Sequence, residues 1–361
     1  MRKYFSEDEM KIVGEYPSAA GFFGKPQPSC PKYNRPVTSR ENFEMMLRGE
    51  VPYWAPNLLC DCNLLQPLVM KDAAARSFGG IDWFGIDWQF EEASGAPMVR
   101  PGTRRLSSLE NWREELVWPD LQAIDWEKDY RENFGNLPED RPNIFLIVNG
   151  CFERLADLTS FADAFCYLIE EPEELNAFFT RLTDWHIELI QIARTYYHAD
   201  MILFHDDMGT QRSTFFSTKM YVELLQPHYK RMTEAIRQLG MHAAAHSCGC
   251  IGAHIPEFIN SGFEMWEGQQ NANDCPALMR QYGDRLGQIE MLTETAEASS
   301  LEQVKAIIKG RLETVGATGR YMCRLYDRPE RMTASHEYMY RLSRQKYDRL
   351  YEERNPSFRE S

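Results

Sequence analysis

The sequence predicts an α/β protein: a single (β/α)8 barrel of the TIM type, with an N-terminal arm and an insertion after the early strands. Three observations carry this. From residue 143 onward short apolar runs alternate with longer helical ones, the signature of βα units around a parallel sheet. Polar residues collect where the apolar runs stop, and a barrel of this kind keeps its active site at the C-terminal ends of its strands. The 361 residues, 43% of them hydrophobic, suit one barrel with extensions and are enough to fill its core.

Residues 1–37 read as an arm, because Gly21, Gly24 and Pro26, Pro28, Pro31 and Pro36 interrupt any regular element. Phe22 and Phe23 read as anchors of this arm on the barrel, with a substrate entrance as the alternative. The barrel is placed at 38–354 and a short tail at 355–361. Thr38 or Ser39 caps a first helix running through Arg48, with Glu41 in its first turn. Residues 53–59 read as the first strand, and the aromatic run 81–88 as a second strand or an irregular stretch.

Residues 89–142 are polar, rich in Trp and Pro, and without period, so an insertion with short helices is expected, partly covering the barrel mouth. Its Arg100, Arg104 and Arg105 are either a clamp for an anion or, more simply, a solvated loop. Strands are then expected at 143–148, 201–204, 241–247, 263–266, 286–291 and 320–324. Helices are expected at 156–169, 172–198, 218–239, 253–260, 276–282, 301–309 and 334–351. With the two early strands this makes eight.

The strand ends carry Asn149, His205, Asp206, Asp207, His246, Cys248, Glu267, Gln269, Glu290 and Cys323. Polar residues end strands in any protein, so position alone assigns no role. Asp206 and Asp207 are neighbours on an extended segment and face opposite ways. One of them therefore looks into the mouth while the other caps helix 218–239 or its preceding turn, and alternation does not say which.

A net charge of −14 argues against an extended nucleic-acid surface and gives no attraction to anionic lipid. No apolar run approaches a membrane helix, and the start, MRKYFSEDEM, is charged where a secretion signal is apolar, so a cytoplasmic protein is expected. Nine cysteines, an odd number scattered through an acidic chain, fit reduced thiols with a few metal ligands better than a disulfide framework.

The run MHAAAHSCGCIG at 241–252 gathers nitrogen and sulfur donors at one strand end. Residues i and i+2 of a strand share a face, so His246 and Cys248 can share a zinc ion while Ser247 turns away. Two buried cysteines in a small-residue strand give the same pattern. Cys250 lies next along that face, in a turn between glycines.

The H-x-C-G run is followed by a lone Cys323, 323 − 248 = 75 positions later. Together with TSRENFEMMLRGEVP at 38–52, GIDWFGIDW at 80–88, HDDMGTQ at 205–211 and LLQPHYK at 224–230, it resembles the zinc-binding methyltransferases of the uroporphyrinogen decarboxylase superfamily, over most of the chain. The resemblance implies zinc on His246, Cys248 and Cys323, with no ligand role for Cys250. Glu267 is a candidate fourth ligand. The resemblance places one aspartate of the Asp206–Asp207 pair in the substrate cavity; Asp206, Asp207 and His205 are the candidate catalytic groups, His205 with a purely structural role as its alternative. Asn149, Gln269 and Trp83 are candidate substrate contacts.

The superfamily's decarboxylases carry an arginine-rich segment near the first strand, where this chain reads YWAPNLLC. The methyltransferase branch is therefore favoured. In that branch the methyl group moves to or from a cobalt corrinoid on a partner protein, and zinc acts as a Lewis acid. The arm and the aromatic insertion resemble donor-side enzymes of O-demethylation, implying transfer from a methyl ether, such as a methoxylated aromatic, to Co(I) of the corrinoid protein. The alternatives are a thiol-type, coenzyme M-like methyltransferase, a decarboxylase, and a non-catalytic zinc-binding adaptor of a corrinoid protein.

Overall fold

The computed structural model describes residues 2–91 and 96–356, so the last five residues of the expected tail lie outside the described residues. Seven parallel strands form the barrel wall: β1 (Asn63–Leu65), β2 (Asn143–Val148), β3 (Met201–His205), β4 (His242–Ser247), β5 (Met265–Gly268), β6 (Gly287–Leu292) and β7 (Tyr321–Leu325). They neighbour one another in chain order, the arrangement that right-handed βα crossovers produce.

The wall is closed by a single stretch of chain. The Cys323 amide donates to the Pro56 carbonyl at 3.1 Å, Asn57 bridges to Cys323, and the same segment runs on into β1, which pairs with β2. The strand expected at 53–59 is thus reduced to one bridge and a helical turn, Leu58–Asp61. The stretch 81–88 is not in the barrel either. It contributes to an antiparallel three-stranded sheet of Gly80–Ile81, Asp87–Glu91 and Ala96–Val99.

Alternation sorts the strand residues into two cores. Ile144, Leu146, Val148, Leu203, Ala244, Ile289 and Met322 fill the barrel interior. Phe145, Ile147, Ile202, Phe204 and Tyr321 face the helices outside. The N-terminal end of the barrel is plugged by helix Ser39–Leu47, whose Phe43, Met46 and Leu47 join the interior cluster. Thr38 caps it as expected: its hydroxyl accepts from the Glu41 amide at 3.1 Å, and the Glu41 carboxylate accepts from the Thr38 amide at 2.7 Å.

The helix expected at 156–169 divides into Cys151–Leu158 and Phe161–Glu170, because the Ser160 hydroxyl accepts from the Asp163 amide and starts a new N-terminus. The insertion holds the expected short helices, Trp112–Glu115 and Trp126–Asn133. Its arginines serve the fold: Arg100 pairs with Asp87, Arg104 with Asp163, and Arg105 donates to the Phe84 carbonyl. Among the described residues no helix is long and apolar enough to cross a membrane.

Candidate metal centre

Strand register decides which side chains meet at the mouth. His205 pairs with His246 across β3 and β4, and His246 with Glu267 across β4 and β5, so the three stand level on neighbouring strands and turn to the same side. The two imidazoles stack, with centroids 4.2 Å apart and planes 12° from parallel. Each ring is held from behind by a carboxylate. Glu153, in the first turn of helix Cys151–Leu158, takes His205 Nδ1 at 2.8 Å, and Glu267 takes His246 Nδ1 at 2.8 Å. Both rings therefore keep Nε2 for something else.

Asp207 Oδ1 stands 3.6 Å from His246 Nε2 and accepts the Cys248 amide at 2.6 Å. His205, Asp207 and His246 each offer one ligand atom, all within 4.8 Å of one another. Cys248 Sγ lies 3.4 Å from His246 Nε2. Two imidazoles backed by carboxylates, an aspartate and a thiol within reach are a donor set that zinc takes, and the carboxylate behind each histidine would fix which nitrogen faces such an ion.

The electrostatics agree. Burial opposes charge on His205, but Glu153 and Asp207 raise its pKa to about 9. Burial and His205 lower that of His246, yet Cys248 and Glu267 bring it to about 9. Burial raises the two supporting carboxyls, but His205 beside Glu153, and Arg324 with His246 beside Glu267, hold each near 2. The carboxylates around the two rings thus make this a site of negative potential that favours positive charge.

Loop geometry brings the pieces together. Gly249 has φ +83°, and a Cβ there would meet the Gly209 carbonyl oxygen, so only glycine lets the loop after β4 lie against the loop after β3. Gln269, a predicted substrate contact, instead braces these loops: its Oε1 accepts from Gln211 Nε2 at 2.6 Å and from the Gly249 amide at 3.0 Å. Cys250 is tied in by its amide to the Thr210 carbonyl and lies outside the group of three.

Other predicted residues stand elsewhere. Cys323 is not brought to His246 and Cys248. On β7 the inward positions are Met322 and Arg324, so Cys323 between them faces out, fully buried, with its Sγ 3.4 Å from Met339 Sδ. Glu290 beside it also faces out and accepts from the Tyr321 hydroxyl at 3.0 Å. Glu267 is not a free ligand, since one oxygen holds His246 and the other lies 2.9 Å from Arg324. Asn149 is wholly buried between Arg76 and Asp157. Trp83 packs edge-on against Trp185 and lines a separate cavity of about 880 Å³ with Phe84, Trp118 and Asp82.

The aspartate pair divides as alternation requires, with Asp207 toward the donors and Asp206 away. Asp206 caps a different helix from the one expected: its oxygens accept from the Phe152 and Glu153 amides at 3.0 and 2.7 Å, and from the Tyr229 hydroxyl. Asp206→Asn turns an amide toward those amide hydrogens and is expected to cost about 1–3 kcal/mol. Its denaturation midpoint should fall while Asp207→Asn leaves the midpoint in place; equal midpoints would contradict the assignment.

Sequence reasoning did not single out Glu153 or Arg324. Arg324 had one signal, its place two residues after Met322 on the inward phase. Glu153 had none, since an acidic residue in a helix's first turn is ordinary. The arm reaches the mouth: the Arg324 guanidinium lies 5.1 Å from the Phe22 ring centroid, and Phe23 meets the His205 ring edge-on at 6.3 Å.

This architecture is shared with known proteins. A methyltransferase from Methanosarcina mazei superposes with a TM-score of 0.62 at 16% identity, over 87% of this chain and 99% of that one, a likeness of fold. A sugar phosphate isomerase/epimerase from Parabacteroides distasonis matches at a TM-score of 0.31 and 12% identity, over 73% and 83% of the two chains, too low to add to the argument. No curated protein sequence matches the chain. The family model described as uroporphyrinogen decarboxylase (URO-D) matches residues 81–311, well over half of the chain, and the chain belongs to that family.

Proposed function

We propose that this protein is a zinc-dependent methyltransferase, moving a methyl group from a methyl ether, a methoxylated aromatic, to the Co(I) corrinoid of a partner protein. The observation that carries the reading is the convergence of His205, Asp207 and His246 within 4.8 Å at the barrel mouth. These three residues would hold the zinc, with Cys248 in reach as a fourth donor; this replaces the set of His246, Cys248 and Cys323 that the resemblance implied. Zinc bound there supplies a Lewis acid toward the heteroatom of the methyl donor.

The chain's own residues orient the groups of the site. Glu153 and Glu267 lock the ring nitrogens that face away from the mouth, so the site is organised before any ligand arrives. Asp207 joins the loops after β3 and β4 through the Cys248 amide. Phe22 lies against the Arg324 guanidinium and Phe23 against one edge of His205. The fold shared with a methyltransferase supports the reaction class.

The test is a methyl-transfer assay with zinc-loaded protein, reduced corrinoid protein and a panel of methoxylated aromatics. Formation of methylcobalamin with release of a phenol is expected. Stepwise loss of carboxylates from uroporphyrinogen at an enzymatic rate, with no methyl transfer, would overturn the reading in favour of the decarboxylase branch.

A further inference from the structure

A second cluster lies away from the mouth, where the arm meets the barrel. Cys30 opens the arm strand Cys30–Tyr33, and Cys60 sits in the turn Leu58–Asp61 that closes the wall. Their sulfurs are 2.7 Å apart, and Cys60 Sγ is 3.0 Å from His336 Nδ1 on the last helix. Both cysteines are buried.

The hydrogen bonds around them run in one direction. Asn57 Oδ1 already accepts from the Leu59 and Leu325 amides, so its Nδ2 is the group that faces His336 Nε2, at 2.8 Å, and donates to it. That leaves Nδ1 protonated and donating to Cys60 Sγ, which in turn gives its own proton toward Cys30. As a thiol Cys30 turns its own proton to the Pro28 and Leu59 carbonyls, each 3.6 Å from its Sγ; as a thiolate it accepts from Cys60, and that hydrogen bond, with the Arg141 and Arg35 charges, holds its pKa below the usual thiol range against the opposing effect of burial. A cavity of about 30 Å³, lined by both sulfurs, His336 and the exposed Thr333, adjoins the pair. That is room for a molecule the size of water or hydrogen peroxide.

The geometry points to Cys30 and Cys60 as a peroxide-responsive dithiol that closes reversibly into a disulfide, fastening the arm to the barrel wall. The Cys30 thiolate attacks one oxygen of the peroxide and the O–O bond breaks, giving Cys30 sulfenic acid and hydroxide. The hydroxide takes the Cys60 proton and leaves as water. The Cys60 thiolate, still accepting from His336 Nδ1, then attacks the Cys30 sulfur; the S–S bond forms as the S–O bond breaks and hydroxide departs. In sum, one thiolate, one thiol and one peroxide give one disulfide, one water and one hydroxide, a two-electron oxidation. The arm so fastened is the one that carries Phe22 and Phe23 over the mouth.

The test treats the full chain with hydrogen peroxide, alkylates remaining thiols after denaturation, and maps peptides by mass spectrometry. A peptide pair joined through Cys30 and Cys60 is expected, reversed by dithiothreitol. In Cys60→Ser the pair is lost and Cys30 is trapped by dimedone as a sulfenic acid. Cys166, exposed and alone, serves as the control for oxidant reaching the protein. The inference is overturned if wild-type Cys30 and Cys60 both remain fully alkylatable while Cys166 is consumed, a result that does not depend on how any variant folds. It is equally overturned if His246→Ala protein retains a zinc ion that Cys30→Ser releases, which would make the cluster a metal site.

Discussion

Replacing His246 by alanine is expected, on the proposed function, to slow methyl transfer by a factor of roughly 10²–10³ or more, because a Lewis acid would stabilise charge in the transition state by several kcal/mol and about 1.36 kcal/mol is tenfold in rate. The loss should fall on turnover with fold intact, since His246 sits at the rim of a barrel whose two cores are built without it. Glu267→Gln and Glu153→Gln are expected to be milder. Each leaves a hydrogen-bonding group behind its histidine but weakens the ring's basicity, so zinc affinity should drop about 10- to 100-fold with transfer recovering at high zinc. Equal activity in His246→Ala and wild type, measured per folded molecule with saturating zinc, would remove the metal from the chemistry.

Arg324→Met is expected to be the most destabilising change at the mouth. Arg324 and Glu267 form a nearly buried ion pair at 2.9 Å, and Glu267 is committed to His246 on its other side. Taking away the cation leaves a carboxylate in the barrel without its main compensation, a loss on the order of 3–5 kcal/mol. Because the same carboxylate orients His246, zinc affinity should fall as well. The double change Arg324→Met with Glu267→Gln removes the stranded charge and should recover part of the stability. A double variant no better than the sum of the two singles would show that the pair is not coupled. Urea denaturation of the four proteins supplies the comparison.

The later two-thirds of the barrel was legible because each βα unit there is a clean apolar run followed by a longer helical one. The early part misled for physical reasons. The run YWAPNLL at 53–59 is apolar enough for a strand, but Pro56 has no amide to give to a ladder, and Asn57 uses its side chain on the Leu325 amide. The run GIDWFGIDW is apolar too, but Asp82 accepts from the Phe84 and Ile86 amides and from Trp88 Nε1, and Gly85 takes φ +83°. A tight turn results where a strand or an irregular stretch was expected.

At the site, the H-x-C run pointed to the strand that carries His246, and Asp206 and Asp207 face opposite ways, as alternation requires. What the sequence could not show was register. That His205, His246 and Glu267 stand level depends on how three strands are offset, and no single strand records its offset. Cys323 misled for a related reason: in YMCRL the wholly apolar phase is Tyr321, Cys323 and Leu325, yet the phase that faces inward is Met322 and Arg324, whose guanidinium meets Glu267 two strands away.

Zinc content per chain tests most directly whether His205, Asp207 and His246, rather than Cys323, would hold the metal. Wild type, Asp207→Ala, His246→Ala and Cys323→Ala would be purified with zinc present, dialysed, checked for retained fold by circular dichroism, and analysed for metal. Wild type and Cys323→Ala should each keep one zinc, while Asp207→Ala and His246→Ala lose it. A folded Cys323→Ala protein without zinc, beside an Asp207→Ala protein that retains it, would contradict the account.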